Sequence, residues 1–142
     1  MSELLHLRIT DETTLMAAAD LLHDGVFDPA DVVHDADRFR FTLTAWRELD
    51  PHLSWLGFIV NDRWGECRLV LRQVAQAEIS LDEQGLWSLF EEAAYDAAQR
   101  QIQLKTLFVK IRLQVSAIDG ELVDTGGVTD SDPQRRVKRG RH

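Results

Sequence analysis

The sequence predicts an α+β fold, mainly an antiparallel β-sheet of about six to eight strands with one or two helices packed on it. Three observations carry this. A motif occurs twice: His34-Asp35-Ala36 precedes Phe39, Phe41 and Leu43, and Tyr95-Asp96-Ala97 precedes Ile102 and Leu104. After each polar turn, apolar residues alternate with polar ones: Arg38, Arg40 and Thr42 in the first copy, Gln101, Gln103 and Lys105 in the second. A period of two marks a strand with one face buried. The same alternation recurs in Cys67-Leu69-Leu71, in Ala77-Ile79-Leu81 and in Val109-Ile111-Leu113-Val115. Finally, one early segment has helical spacing, with Leu15, Ala18, Ala19 and Leu22 three and four apart.

Residues 4–9 read as a short strand. Thr10 or Asp11 then caps a helix over 11–23, and Glu12 adds favourable charge to its first turn. Asp24-Gly25 ends it, with Gly25 suited to a left-handed cap. The stretch from Val26 to Asp35 is extended with a bend at Asp28-Pro29, and it pairs with a strand over 38–46 through a turn at 35–38. Residues 46–51 form a loop. Residues 53–60 are apolar on both phases, which fits a buried strand or a short buried segment. Asn61-Asp62 is a turn signal. Residues 66–74 and 75–81 form a hairpin or one bulged strand. Composition favours helix across 86–100, where Ala and Glu abound. The repeat favours strand through 90–95, because Tyr95-Asp96 then stands at a strand end as His34-Asp35 does. Strands follow over 101–106 and 109–115. Asp119-Gly120 is a hairpin turn ahead of 121–124, and Gly126-Gly127 begins the tail.

A chain of 142 residues fits one domain and can bury a core without disulfides or metals. The apolar fraction of 44% excludes wholesale disorder. We assign a single globular domain to 1–129 and a basic, disordered tail to 130–142. In residues 131–142, Arg135, Arg136, Lys138, Arg139 and Arg141 stand against Asp132, a net +4, so the remainder carries −12 of the total −8. A body this acidic repels nucleic acid. The longest early apolar run, Leu15 to Ala19, is shorter than a signal-peptide core, and nothing reaches membrane-span length. The expected location is cytoplasmic. The lone Cys67 excludes an intramolecular disulfide and lies on an apolar strand phase, as a small buried hydrophobe would.

No GxGxxG, P-loop, HExxH, GxSxG or CxxC motif is present. Three groups of residues remain as candidates. His23, Asp24, His34 and Asp35, with Asp28, Asp31 and Asp37 nearby, carry ligand types for a metal or small molecule. Two His-Asp pairs eleven residues apart match no ligand spacing, and Asp accumulates at turns for backbone reasons. We therefore expect no metal and no cofactor. The second group is the polar phase of the sheet: Arg38, Arg40, Arg68, Arg72, Lys105, Lys110 and Arg112 are seven of the eleven basic residues outside the tail. On one face they would suit an acidic protein surface, a carboxylate or a phosphate. Otherwise their stems cover exposed sheet and discourage edge pairing. The third group is aromatic: Trp46, Trp55, Phe58 and Trp64.

The His-Asp or Tyr-Asp dipeptide opening an alternating strand (31–44 and 94–106), with Asp119-Gly120-Glu121-Leu122-Val123-Asp124 later in 118–127, resembles small bacterial β-rich domains, some grouped with immunity proteins of toxin systems. The resemblance implies a mostly-β fold, brings no activity and assigns no catalytic residue. The expectation is a non-enzymatic protein-binding domain, self-associating or immunity-like, whose partner is another protein or a second copy, with no nucleic acid and no membrane. The rival is a small-ligand-binding or metal-assisted enzyme built on His23, Asp24, His34 and Asp35.

Overall fold

The computed structural model describes residues 5–49, 63–82 and 86–129, the backbone of 52–53 and 59–60, and Pro133 and Val137. The elements are β1 (His6–Ile9), α1 (Glu12–Leu22), β2 (Val26–Phe27), β3 (Val33–Asp35), β4 (Arg40–Glu48), β5 (His52–Leu53), β6 (Ile59–Val60), β7 (Trp64–Leu71), β8 (Val74–Leu81), β9 (Ser88–Asp96), β10 (Gln101–Thr106), β11 (Val109–Val115) and β12 (Gly120–Thr129). Ten strands form one antiparallel sheet in the order β1-β12-β7-β4-β2-β9-β10-β11-β8, with β3 beside β4, and β5 pairs with β6 separately. The described residues are mainly β with one α-helix, so the sheet is larger than the six to eight strands expected. The excess comes from strands of two or three residues and from a kink that divides residues 64–81 in two.

The helix begins where its cap chemistry dictates. Asp11 accepts from the Thr14 amide at 2.8 Å, and the Thr14 hydroxyl oxygen accepts from the Asp11 amide at 3.0 Å. Both are exposed orphan donors of a first turn satisfied reciprocally. The Thr14 amide, then its hydroxyl, hold the Asp11 carboxyl below its ordinary pKa. Leu15, Ala18, Ala19 and Leu22 bury one stripe, mainly against β9 and β1. At the other end the left-handed residue is Asp24, at φ 65°, and not Gly25. Gly25 serves close approach instead: a Cβ there would lie 2.7 Å from the Leu22 carbonyl oxygen.

The repeated motif builds two matching hairpins. β3 pairs with β4 with Asp35 opposite Arg40, and β9 pairs with β10 with Asp96 opposite Gln101. Each turn has four residues between those partners, and its last residue is left-handed: Phe39 at φ 53°, Arg100 at φ 51°. Asp35 accepts from the Asp37 and Arg38 amides, and Asp96 from the Gln99 amide. The short carboxylate therefore organises both turns. It also explains why 88–96 is strand despite its helix-forming composition: the hairpin and its burial override propensity.

Beyond the hairpins the halves exchange strands. β4 runs on to pair with β7 (Phe41 opposite Leu71), and β10 with β11 (Ile102 opposite Leu113). The chain then kinks. β8 leaves β7 and pairs with β11, while β12 leaves β11 and pairs with β7. Residues 66–81 are thus neither a hairpin nor a bulged strand within one ladder. Left-handed Gln73, at φ 58°, turns the chain between two ladders. Likewise Asp119-Gly120 is not a hairpin turn. Gly120 lies opposite Leu71, and a Cβ on it would stand 2.1 Å from the Val70 carbonyl oxygen. At the crossing, the Arg72 amide donates to the Asp119 carbonyl and the Ser116 amide to that of Gln73. β12 continues to Thr129, past the Gly126-Gly127 pair expected to begin the tail, with an irregular register between Asp124 and Val128. β4 likewise continues through the residues expected to start a loop, to Glu48.

The core cluster holds Phe41, Leu43, Leu69, Leu71, Ile102, Leu104, Ile111 and Leu113, all at 1% exposure or less, together with Cys67 and the buried stripe of α1. Phe39 shares their sequence phase but is 54% exposed, because the turn places it in the left-handed region outside the ladder. Of the basic tail, Pro133 and Val137 are described and buried, and Val137 belongs to the core cluster at 3% exposure. At these two positions the chain departs from a fully solvated tail. Most of 53–60, the turn at 61–62, and Trp55 and Phe58 lie outside the described side chains.

Candidate functional site

The registers divide the seven basic residues into three sets. Arg38, Arg40 and Arg72 come together at the crossing. Lys105, Lys110 and Arg112 lie on the outer face of β10 and β11, with Lys105 opposite both Lys110 and Glu92, and Arg112 opposite Gln103 and Glu78. Arg68 stands between Thr44 and Val123 on the outer face of β7. Alternation gives each residue's phase. It does not say which strands are neighbours, and the strand exchange separates the sets.

The crossing forms a cleft of about 490 Å³ lined by Arg38, Phe39, Arg40, Arg72, Gln73 and Asp119, among others. The β3–β4 turn supplies its first three residues and the β7–β8 kink supplies Arg72 and Gln73. Two of the four left-handed non-glycine residues among those described, Phe39 and Gln73, meet here. The Phe39 carbonyl accepts from the Val74 amide at 2.9 Å, which ties the turn to the kink. Gln73 is held from both sides: its Nε2 donates to Asp119, and its Oε1 accepts from the Ser116 hydroxyl at 3.0 Å. Arg72 reaches Glu121 at 2.9 Å and Asp119 at 3.7 Å. Arg38 stands 3.8 Å from Asp35, and Arg40 has no acidic partner among the described residues. A hydrogen bond from His6 is the main influence holding Glu121 below the ordinary carboxylate range; burial opposes it and the Arg72 charge assists. The arrangement can present two or three guanidinium groups around an exposed aromatic ring. Its chemistry is recognition of a carboxylate or phosphate beside an apolar group.

The His23, Asp24, His34 and Asp35 set is distributed over separate elements. His23 and Asp24 follow α1, 3.4 Å apart and exposed, with the Asp24 amide donating to Phe90. His34 lies on β3 and its Nε2 donates to the Val74 carbonyl at 3.0 Å, so that nitrogen carries the proton. His34 also borders a shallow hollow of about 390 Å³ with Gln76, Glu78 and Arg112. Asp35 is occupied with its turn. Asp28 accepts from the Ala30 amide at the start of a 3₁₀ turn, Pro29–Asp31. Among the described residues no three His, Cys, Asp or Glu side chains gather as a metal would require. Cys67 is fully buried, and burial pushes its thiol up to about 12, which suits packing rather than reactivity. Trp64 is buried and Trp46 half-buried. Among the described residues no helix is long and apolar enough to cross a membrane.

Sequence reasoning missed Phe39 as a site residue because its phase matches the core. The signal that could have found it is the turn: the position equivalent to Phe39 in the second copy is Arg100, a residue with no place in a core. Comparison with known proteins brings no assignment: no family model, curated protein or solved structure matches the chain.

Proposed function

We propose that this is a cytoplasmic, non-enzymatic protein-binding module, immunity-like in the sense of the resemblance drawn above, that receives an acidic stretch of a partner protein at the Arg38, Phe39, Arg40 and Arg72 cleft. The observation that carries the reading is Phe39. A phenylalanine in the left-handed region is disfavoured by roughly 1–2 kcal/mol, and here it also exposes half its surface. Residues held this way against their own preference collect at functional sites. Arginine and aromatic side chains are also the residues that dominate binding energy at interfaces. The body around the cleft is acidic overall, so a local cluster of guanidinium groups gives orientation as well as attraction.

The test is fluorescence anisotropy with a labelled glutamate-rich peptide bearing one leucine or phenylalanine. Binding should weaken with salt, and by about tenfold in Arg40→Gln and in Phe39→Ala. Equal binding by wild type and both variants would sink the reading.

A further inference from the structure

We infer that β8 is the seam at which a second copy of this chain adds to the sheet, strand to strand and antiparallel. This goes beyond the cleft reading and does not depend on it. β8 is the last strand in the sheet order and pairs with β11 alone among the described residues. Ala77, Ile79 and Leu81 lie opposite Leu113, Ile111 and Val109, which are all buried in the core. They share the inward phase of the sheet, yet Ile79 is 40% and Leu81 45% exposed. The sheet's apolar face thus continues to its edge, where no other strand among the described residues pairs with it.

Edges of this kind invite pairing, and proteins blunt them with short strands, charges, prolines or bulges. At the opposite end of the sheet, β1 is blunted: it has four residues and exposes His6 and Arg8. β8 has eight residues, no proline and one charge, Glu78, which stands opposite Arg112. The imidazole of His34 occupies the Val74 carbonyl at the start of β8, so the open stretch is 76–82.

That stretch is complementary to itself. About a two-fold axis through Ile79, Ile79 meets its copy, Ala77 meets Leu81, Glu78 meets Ser80 and Gln76 meets Asp82. Apolar residues oppose apolar residues on the inward face, and no like charges meet on the outward face. A two-fold antiparallel seam needs this self-complementarity. The seam is short, so the dimer is concentration-dependent.

The register can be read by cross-linking. Residues directly opposite in antiparallel strands have Cα atoms about 4.5–5.5 Å apart, inside the range a disulfide spans. The natural thiol, Cys67, is fully buried and does not compete. Ile79→Cys should form a covalent dimer under mild oxidant at least about tenfold faster than Val128→Cys, a control on exposed β12. By sedimentation, the wild-type mass should rise toward the dimer with concentration, unaffected by salt, whereas Ile79→Lys should stay monomeric, with a melting temperature equal to that of wild type in dilute solution. A monomer at every concentration, or equal cross-linking at 79 and 128, would overturn the proposal. Dimerisation abolished by salt would also overturn it, because an apolar seam is not screened. The acidic-peptide measurement repeated on Ile79→Lys separates the two proposals, since the cleft residues are untouched.

Discussion

β12 crosses into the first half of the molecule and finds a strand on each side, β7 along one edge and β1 along the other. β8 makes the reciprocal crossing into the second half and, among the described residues, finds only β11. β12 is also fastened. Arg47 grips Asp124 through Nε at 3.1 Å and Nη2 at 2.8 Å, and Asp124 exchanges hydrogen bonds with Leu5 through both its side chain and its amide. Nothing among the described residues fastens β8 comparably. Two strands with the same role in a repeated plan therefore differ in how completely their surroundings cover them. The difference is one neighbour: among the described residues the second half has no counterpart of β1.

The comparison can be broken first by truncation. Leu122→Ala, on β12 opposite Leu69 of β7, should destabilise by about 2–5 kcal/mol, and Ile79→Ala by less than about 1 kcal/mol, both read from urea unfolding of dilute protein. Equal losses would mean that β8 is as enclosed as β12. Next, Asp124→Ala should destabilise by about 2 kcal/mol, because it removes the charged acceptor that two Arg47 nitrogens and the Leu5 amide share. Burial works to raise the Asp124 pKa, but the hydrogen bonds from Arg47 and the Leu5 amide, with the Arg47 charge, outweigh it and hold the group below its ordinary value. A carboxyl depressed on folding stabilises the protein above its unfolded pKa and loses that contribution as pH falls through the folded one. The gap between wild type and Asp124→Ala should accordingly narrow below about pH 4; a constant gap would show that the pair acts by packing alone.

Smaller effects sharpen the likeness of the two halves. Asp35→Ala and Asp96→Ala should each lower stability by about 1 kcal/mol, since each removes an acceptor from its turn. A twofold disparity in urea midpoint shifts would show that the turns are alike in backbone only. Smallest of all, Phe39→Gly and Arg100→Gly should each raise the melting temperature slightly, by relieving a left-handed side chain against the added entropy of glycine. Only the first should weaken peptide binding, by about tenfold as Phe39→Ala does.

What could be read in the sequence was local. β10 and β11 fall on the residues their alternation marks, and the repeat places β9 against its own composition. Pairing partners could not be read, because alternation states which side a residue faces and not which strand lies beside it. For that reason the exchange of β8 and β12 was invisible, and with it the division of the seven basic residues. The cleft was half legible: Arg38, Arg40 and Arg72 stood out by charge, but their meeting depends on the left-handed kink at Gln73, a residue with no strong preference for that conformation.

The exchange also bears on how the chain is made. β1 precedes the other described strands in synthesis, yet among the described residues it pairs with β12 alone, and Leu5 and Asp124 lie 119 positions apart. At about 5–20 residues per second, roughly 6–24 s separate their synthesis. Through that interval β7 also waits for its second neighbour. The nascent chain therefore carries two incomplete ladders until β12 emerges, however far its earlier strands have already paired.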